Sequence, residues 1–179
     1  MSSLKRIVIH HTAGNYKASS YDKHFYHYLI EGSGQIIKGD FNPQDNIDCK
    51  DNCYAPHIRG FNTGSIGVAC CGNYNYSLEN RCYSSHYPLT QVQMESMYSC
   101  IANLCLTFDI PVTLDTVFTH YEYDSLHLKE GKVDITFIPY CPNIPVNKVG
   151  DYIRQKILWY INKYERIRNE KTKKSFKKV

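Results

Sequence analysis

Ile7-Val8-Ile9-His10-His11-Thr12-Ala13-Gly14 and Phe118-Thr119-His120-Tyr121-Glu122 decide how this chain is read. Each runs a β-branched or aromatic stretch straight into histidine, the residue order of a strand that ends at a site. Side chains alternate along a strand, so His10 shares a face with Val8 while His11 points the other way. Parity alone leaves either imidazole as a metal ligand, and two hydrogen-bonded core histidines would give the same pattern.

Working outward, residues 4–10 read as a strand. Residues 26–31 and 35–38 flank Gly32-Ser33-Gly34 as a hairpin with glycines for its turn. Residues 65–71 form a short apolar run ending at Gly72, the pattern of a buried strand. Met94, Met97, Ile101 and Leu104 recur at three- and four-residue spacing, which predicts a helix over 89–108 with Thr90 as N-cap and Pro111 beyond its end. Residues 117–120 supply another strand. Ile153, Ile157, Tyr160 and Ile161 make the inward stripe of a last helix over 149–166. Residues 42–62 and 74–87 are loop-like and rich in Asn, Tyr and Ser. The fold class is α/β, and 179 residues are one domain's worth.

Composition narrows the setting. Hydrophobic content of 42% and charged content of 21% are ordinary for a globular chain, and no apolar run reaches bilayer-spanning length. Residues 1–6 lead into a strand without the apolar stretch of a secretory signal, so synthesis in a cytoplasm is expected. Eight cysteines in a chain able to form a core read as reduced thiols. Cys49, Cys53 and His57 share a four-residue spacing and could begin a second, structural zinc site, but no clear fourth ligand follows. Adjacent Cys70 and Cys71 face opposite ways on a strand and read as packing residues. Residues 166–179 form a basic tail that carries much of the formal net charge of +4. It reads as a solvated helix end and disordered terminus, or as a contact to anionic envelope surfaces. No nucleic-acid module accompanies the charge, so no nucleic acid is expected as partner, and a monomer is expected.

Five blocks, in order, resemble the zinc-dependent N-acetylmuramoyl-L-alanine amidase family, which includes phage lysozyme-type amidases and peptidoglycan recognition proteins. They are Ile9 to Gly14; Phe25-Tyr26-His27-Tyr28-Leu29-Ile30 with the Gly32-Ser33-Gly34 turn; Ala55-Pro56-His57-Ile58-Arg59-Gly60-Phe61-Asn62; Ser65-Ile66-Gly67-Val68 with Gly72; and Thr119-His120-Tyr121-Glu122 leading to Gly131-Lys132-Val133-Asp134. The resemblance covers roughly residues 4 to 165.

That resemblance implies one central mixed sheet flanked by α-helices, a catalytic domain over 1–165, and one zinc ion (Zn2+). His10 matches the first metal ligand, His120 the second and Asp134 the third, leaving an open position as hydrolysis requires. Many relatives place Pro-Gly after the third ligand; here Ile135-Thr136 follows and Cys141-Pro142 stands seven residues on, so Cys141 is the rival ligand. Lys132, two residues before Asp134, matches a catalytic lysine, and Tyr26 matches a catalytic phenol. His11, His57, Arg59 and Asn62 match the walls of a substrate groove, and Glu122 is expected to orient a ligand imidazole from an extended segment. The substrate implied is bacterial peptidoglycan, cut between N-acetylmuramic acid and L-alanine. The setting expected is a phage or prophage endolysin released through a partner pore. The alternative is a recognition module that binds peptidoglycan without turnover.

Overall fold

The computed structural model describes residues 3–75 and 85–176. Five strands form one mixed sheet in the order β3-β2-β4-β1-β5, with β1 Arg6–His11, β2 Tyr28–Ile30, β3 Ile36–Lys38, β4 Ser65–Cys70 and β5 Val117–Thr119. β1 lies between β4 and β5, parallel to both; β2 is parallel to β4, and only the β2–β3 hairpin is antiparallel. Helices α2 (Gln91–Phe108) and α4 (Val149–Phe176) pack together against the sheet, while α1 (Ser20–Phe25) and α3 (His120–Tyr123) are short elements at its site-bearing end.

Alternation along β1 divides the molecule. Ile7 and Ile9 enter the main core with Ile66, Val68, Met94, Met97 and Ile101, whereas Val8 joins Ile58 and Phe118 in a smaller cluster on the other face. His10 therefore projects on the Val8 face, under the segment that contains Ile58. The parallel register pairs Ile9 with Thr119 and His10 with Ala69, so the chain leaves β1 and β5 at the same end with His10 beside His120.

Helix α2 starts where the sequence places it. Thr90 Oγ1 accepts from Gln93 N at 3.1 Å, and Gln93 Oε1 accepts from Thr90 N at 3.2 Å, a reciprocal capping box. The same buried Gln93 donates from Nε2 to the carbonyls of Ile30 and Cys71, both at 2.7 Å, tying the helix start to the ends of β2 and β4.

Several expected elements change. Residues 26 and 27 precede β2 rather than belong to it, because α1, capped by Ser19 and Asp22, runs to Phe25 and leaves Tyr26 at its end. The fifth strand stops at Thr119, and His120 opens α3 instead of closing β5. α4 continues past residue 166 to Phe176, its described side chains after Tyr164 exposed, so the basic segment is helical through that point. The expected loop at 74–87 falls largely outside the described residues. The loop at 42–62 carries two short 3-10 turns. No helix among the described residues is long and apolar enough to cross a membrane.

Glu122 is a correction. Thr119 and Glu122 form the capping box of α3, with Glu122 Oε2 accepting from Thr119 N at 2.9 Å, so the segment is helical and not extended. Its two oxygens also receive Arg154 of α4 at 2.9 and 3.1 Å, and the carboxylate thus clamps a helix rather than orienting an imidazole. Gly150 faces it closely, leaving no room for a Cβ. Arg154 and Glu122 are 10% and 18% exposed at the side chain, so removing one partner strands a largely buried charge. Arg154→Ala is expected to lower the unfolding free energy by about 3 kcal/mol in urea denaturation; a loss below about 1 kcal/mol, the scale of an exposed pair, would show that the clamp is not a structural tie.

Candidate metal centre and cleft

His10, His120 and Asp134 each offer one ligand atom, and the three atoms lie within 4.8 Å of one another. All three residues are buried, at 1%, 6% and 9% exposure. His10 comes from the end of β1, His120 from the first turn of α3, and Asp134 from a turn after the 129–133 loop. The Asp134 carboxylate accepts from the backbone N–H of His11 at 3.2 Å through Oδ1 and lies 3.0 Å from His120 Nδ1 through Oδ2. His11 Nε2 stands 3.7 Å from Oδ1. Burial opposes ionisation of Asp134, but His11 and the contact with His120 outweigh it and hold the carboxyl below its ordinary range. Burial, reinforced by repulsion from His120, lowers His10 to about 3, so its imidazole is neutral and has a lone pair to give.

Two imidazoles and one carboxylate are a donor set suited to zinc, and three protein ligands leave a fourth tetrahedral position open. His120 Nε2 is buried without a hydrogen-bond partner among the described residues, an unsatisfied ring nitrogen in the same cluster. The residues present fit a catalytic zinc. No other such group occurs among the described residues. Cys141 lies outside it, with Sγ 3.6 Å from the Tyr152 hydroxyl, and Cys49 Sγ lies 3.9 Å from the Asn46 carbonyl oxygen, so among the described residues neither the rival ligand nor a second site at Cys49, Cys53 and His57 joins a metal cluster.

Beside the cluster opens a cleft of about 710 Å³ whose lining includes His11, Tyr26, His57, His120, Lys132 and Asp134, together with Arg59 and Asn62. The Tyr26 ring centroid is 5.1 Å from that of His10, and burial, with Asp134 adding, raises its hydroxyl far above the ordinary phenol range. Tyr26 is therefore a proton-bearing donor at any physiological pH. Lys132 is exposed on the opposite lip, and its charge reaches His10.

All four expected groove residues line the cleft, and each also has a protein partner. His57 is 6% exposed, and both ring nitrogens face protein: Nδ1 lies 3.1 Å from His10 Nε2, and Nε2 lies 3.4 Å from the Ser65 carbonyl oxygen. Asn62 Oδ1 accepts from Ile58 N at 2.9 Å and shapes its own loop. Arg59, mostly exposed, pairs with Glu130 at 3.0 Å across the cleft mouth. His11 Nδ1 lies 3.1 Å from Asn73 Nδ2, which fixes the wall beside Asp134.

Two further residues hold the walls. Asn46, wholly buried, accepts from Ala55 N at 2.9 Å and donates to the carbonyls of Ala55 and Asn62 at 3.0 and 3.3 Å; its Oδ1 also lies 2.9 Å from His27 Nε2. This one amide ties both ends of the 55–62 wall. On the other lip, the buried carboxylate of Asp124 accepts from three successive backbone N–H groups, Glu130 and Gly131 at 2.9 Å and Lys132 at 3.0 Å. Only the Thr119-x-x-Glu122 spacing, a capping-box signature, could have signalled that the chain turns helical here and brings Asp124 round to face that loop.

The family model described as N-acetylmuramoyl-L-alanine amidase matches residues 1–134. No curated protein sequence matches. Among solved structures, the chain is similar to the N-acetylmuramoyl-L-alanine amidase LysC from Clostridium intestinale URNW, with 21% identity over 68% of this chain and 73% of that chain at a TM-score of 0.46. It is also similar to the Ph2119 endolysin from Thermus scotoductus MAT2119 bacteriophage Ph2119, with 19% identity over 68% and 74% at 0.47. Drosophila peptidoglycan recognition protein SD follows with 19% identity over 68% and 71% at 0.44.

Asp124→Asn keeps the volume but sets an N–H2 group against donors that now face an anion. Amide exchange at Glu130, Gly131 and Lys132 is expected to accelerate about tenfold or more, since each charge-assisted bond is worth about 1.5–3 kcal/mol. Unchanged protection by hydrogen-exchange NMR would mean the loop is held from elsewhere.

Proposed function

This chain belongs to the N-acetylmuramoyl-L-alanine amidase family, and we propose that it hydrolyses the bond between the lactyl group of N-acetylmuramic acid and the first L-alanine of the peptide stem in bacterial peptidoglycan. The observation that carries this reading is the buried cluster of His10, His120 and Asp134, two of which line an open cleft, inside the stretch that the family model matches. These three residues would hold one zinc ion. When bound, zinc supplies Lewis acidity, which makes water acidic near neutral pH and polarises a carbonyl.

The chain's own groups do the rest. Negative charge collects on the amide carbonyl oxygen as its carbon becomes tetrahedral, and the Tyr26 hydroxyl and the Lys132 ammonium are the donors assigned to it. Tyr26 suits the task because burial keeps its proton in place, and Lys132 because its loop is held by Asp124. His11 orients Asp134 through its backbone N–H. Residues 1–165 are taken as the catalytic domain, acting as a monomer. Cutting at this bond frees peptide stems from the glycan and weakens the wall, the basis for a role in host cell lysis.

One set of variants tests the site. The purified protein is expected to hold about one zinc, with Asp134→Ala losing both metal and activity while Cys141→Ser keeps both. Metal content by mass spectrometry and turnover of defined muropeptides decide it; the reverse pattern would move the third ligand to Cys141. Lys132→Ala and Tyr26→Phe are expected to lower kcat by about 10²-fold with zinc content and wall binding little changed. Zinc-loaded protein that binds cell walls but releases no peptide would instead make this a recognition module.

The basic segment 166–179 is proposed to hold the enzyme to anionic envelope polymers. Deleting it is expected to weaken sedimentation with intact walls at low salt and to leave turnover of soluble muropeptides unchanged. Equal wall binding by both forms at low salt would remove the segment from targeting.

A further inference from the structure

His57 has no ring nitrogen left for a substrate, yet its ring is placed with care. A Cβ at residue 67 would collide with the imidazole, so glycine in the middle of β4 is what lets His57 lie flat against the sheet beside His10. The chain of contacts that results has one direction. A backbone carbonyl can only accept, so the Nε2 of His57 that faces the Ser65 oxygen at 3.4 Å must carry the hydrogen. A neutral imidazole carries one N–H, and His57 is buried with a carbonyl oxygen at one ring nitrogen and an imidazole at the other, the surroundings of an uncharged ring. Its Nδ1 is then a lone pair, which receives a hydrogen from His10 Nε2 at 3.1 Å. His10 in turn has its single hydrogen on Nε2, and its Nδ1 is bare.

We infer that His57 is a positioning residue of the metal centre: the relay from the Ser65 carbonyl through His57 fixes the tautomer of His10 so that its Nδ1 presents a lone pair to the His120 and Asp134 cluster. The inference rests on the metal-site reading above and deepens it, because it names the nitrogen that binds and the backbone group that decides it. Metal-bound histidines in general owe their orientation to a partner on the other ring nitrogen, and loss of that partner costs 10–100-fold in affinity. Here the partner is a second histidine instead of the usual carboxylate or carbonyl, and its own polarity is set by main chain. The relay adds no charge to the cluster, which already holds the buried Asp134 carboxylate.

The test reads the tautomer directly. In 15N-labelled protein stripped of metal, long-range 1H–15N correlation at neutral pH is expected to show His10 and His57 both with hydrogen on Nε2. His10 with hydrogen on Nδ1 would overturn the relay whatever the enzyme's activity. For zinc affinity measured by chelator competition, His57→Phe is expected to weaken binding about 10–100-fold, while His57→Asn, whose Oδ1 can stand where Nδ1 stood, recovers most of it. Wild-type affinity in a folded His57→Phe protein would also overturn the proposal. If His57→Phe fails to fold, the wild-type tautomer still decides. The predicted tautomer in a protein that takes up no zinc would uphold the relay and fail the metal reading, whereas zinc bound to a His10 with hydrogen on Nδ1 would do the opposite.

Discussion

A carboxylate cannot be taken out of water without donors to meet it, and the buried Asp134 imposes that requirement on everything around it. The His11 N–H meets one oxygen and His120 the other. Both histidines can be there only because β1 and β5 run parallel, in a register that ends them side by side. Asp134 itself is held from below. Ile135, the next residue, has φ +53°, a left-handed value that is costly for a β-branched side chain, and its burial in the main core at 1% exposure keeps it there. Core packing on one side thus fixes a charged group on the other.

The two walls of the cleft follow one design principle. Neither is regular secondary structure, and each depends on a single buried polar side chain that satisfies several backbone groups of a loop: Asn46 for residues 55–62 and Asp124 for residues 130–132. Such arrangements give a loop the rigidity of an element while leaving its outer face free to carry Arg59 or Lys132. Asn62 joins in the same way, its Oδ1 accepting from Ile58 N while the residue lines the cleft.

Much of the sheet was legible because its signals are local. The β-branched run before His10, the glycine-flanked hairpin and the Thr90 cap each state their structure within a few residues, and the observed elements differ from the expected ones by little at those places. The metal-ligand candidates were legible through motif order; side-chain parity left His10 and His11 open until the face shared by Val8 and Ile58 separated them. What did not show is non-local. Nothing near Glu122 announces Arg154, thirty-two residues away, and nothing near His57 announces that its nitrogens face His10 and Ser65. The extended reading of Glu122 failed because a capping box outcompeted strand continuation at Thr119. The last helix ran on because no glycine or proline follows residue 150 to stop it.

The position of β1 between two later strands has a consequence for how the molecule comes into being. This strand precedes the other four in the chain, but its two neighbours are residues 65–70 and 117–119. Until the chain has grown past Thr119, one edge of an apolar strand remains open, and until Asp134 follows, the three-residue cluster is incomplete. Contacts of such sequence separation form slowly and late, because a long loop must close before any pairing rewards it. The cluster of His10, His120 and Asp134 therefore comes together only after two long loops have closed, and a nascent chain that has not reached residue 134 carries its histidines apart.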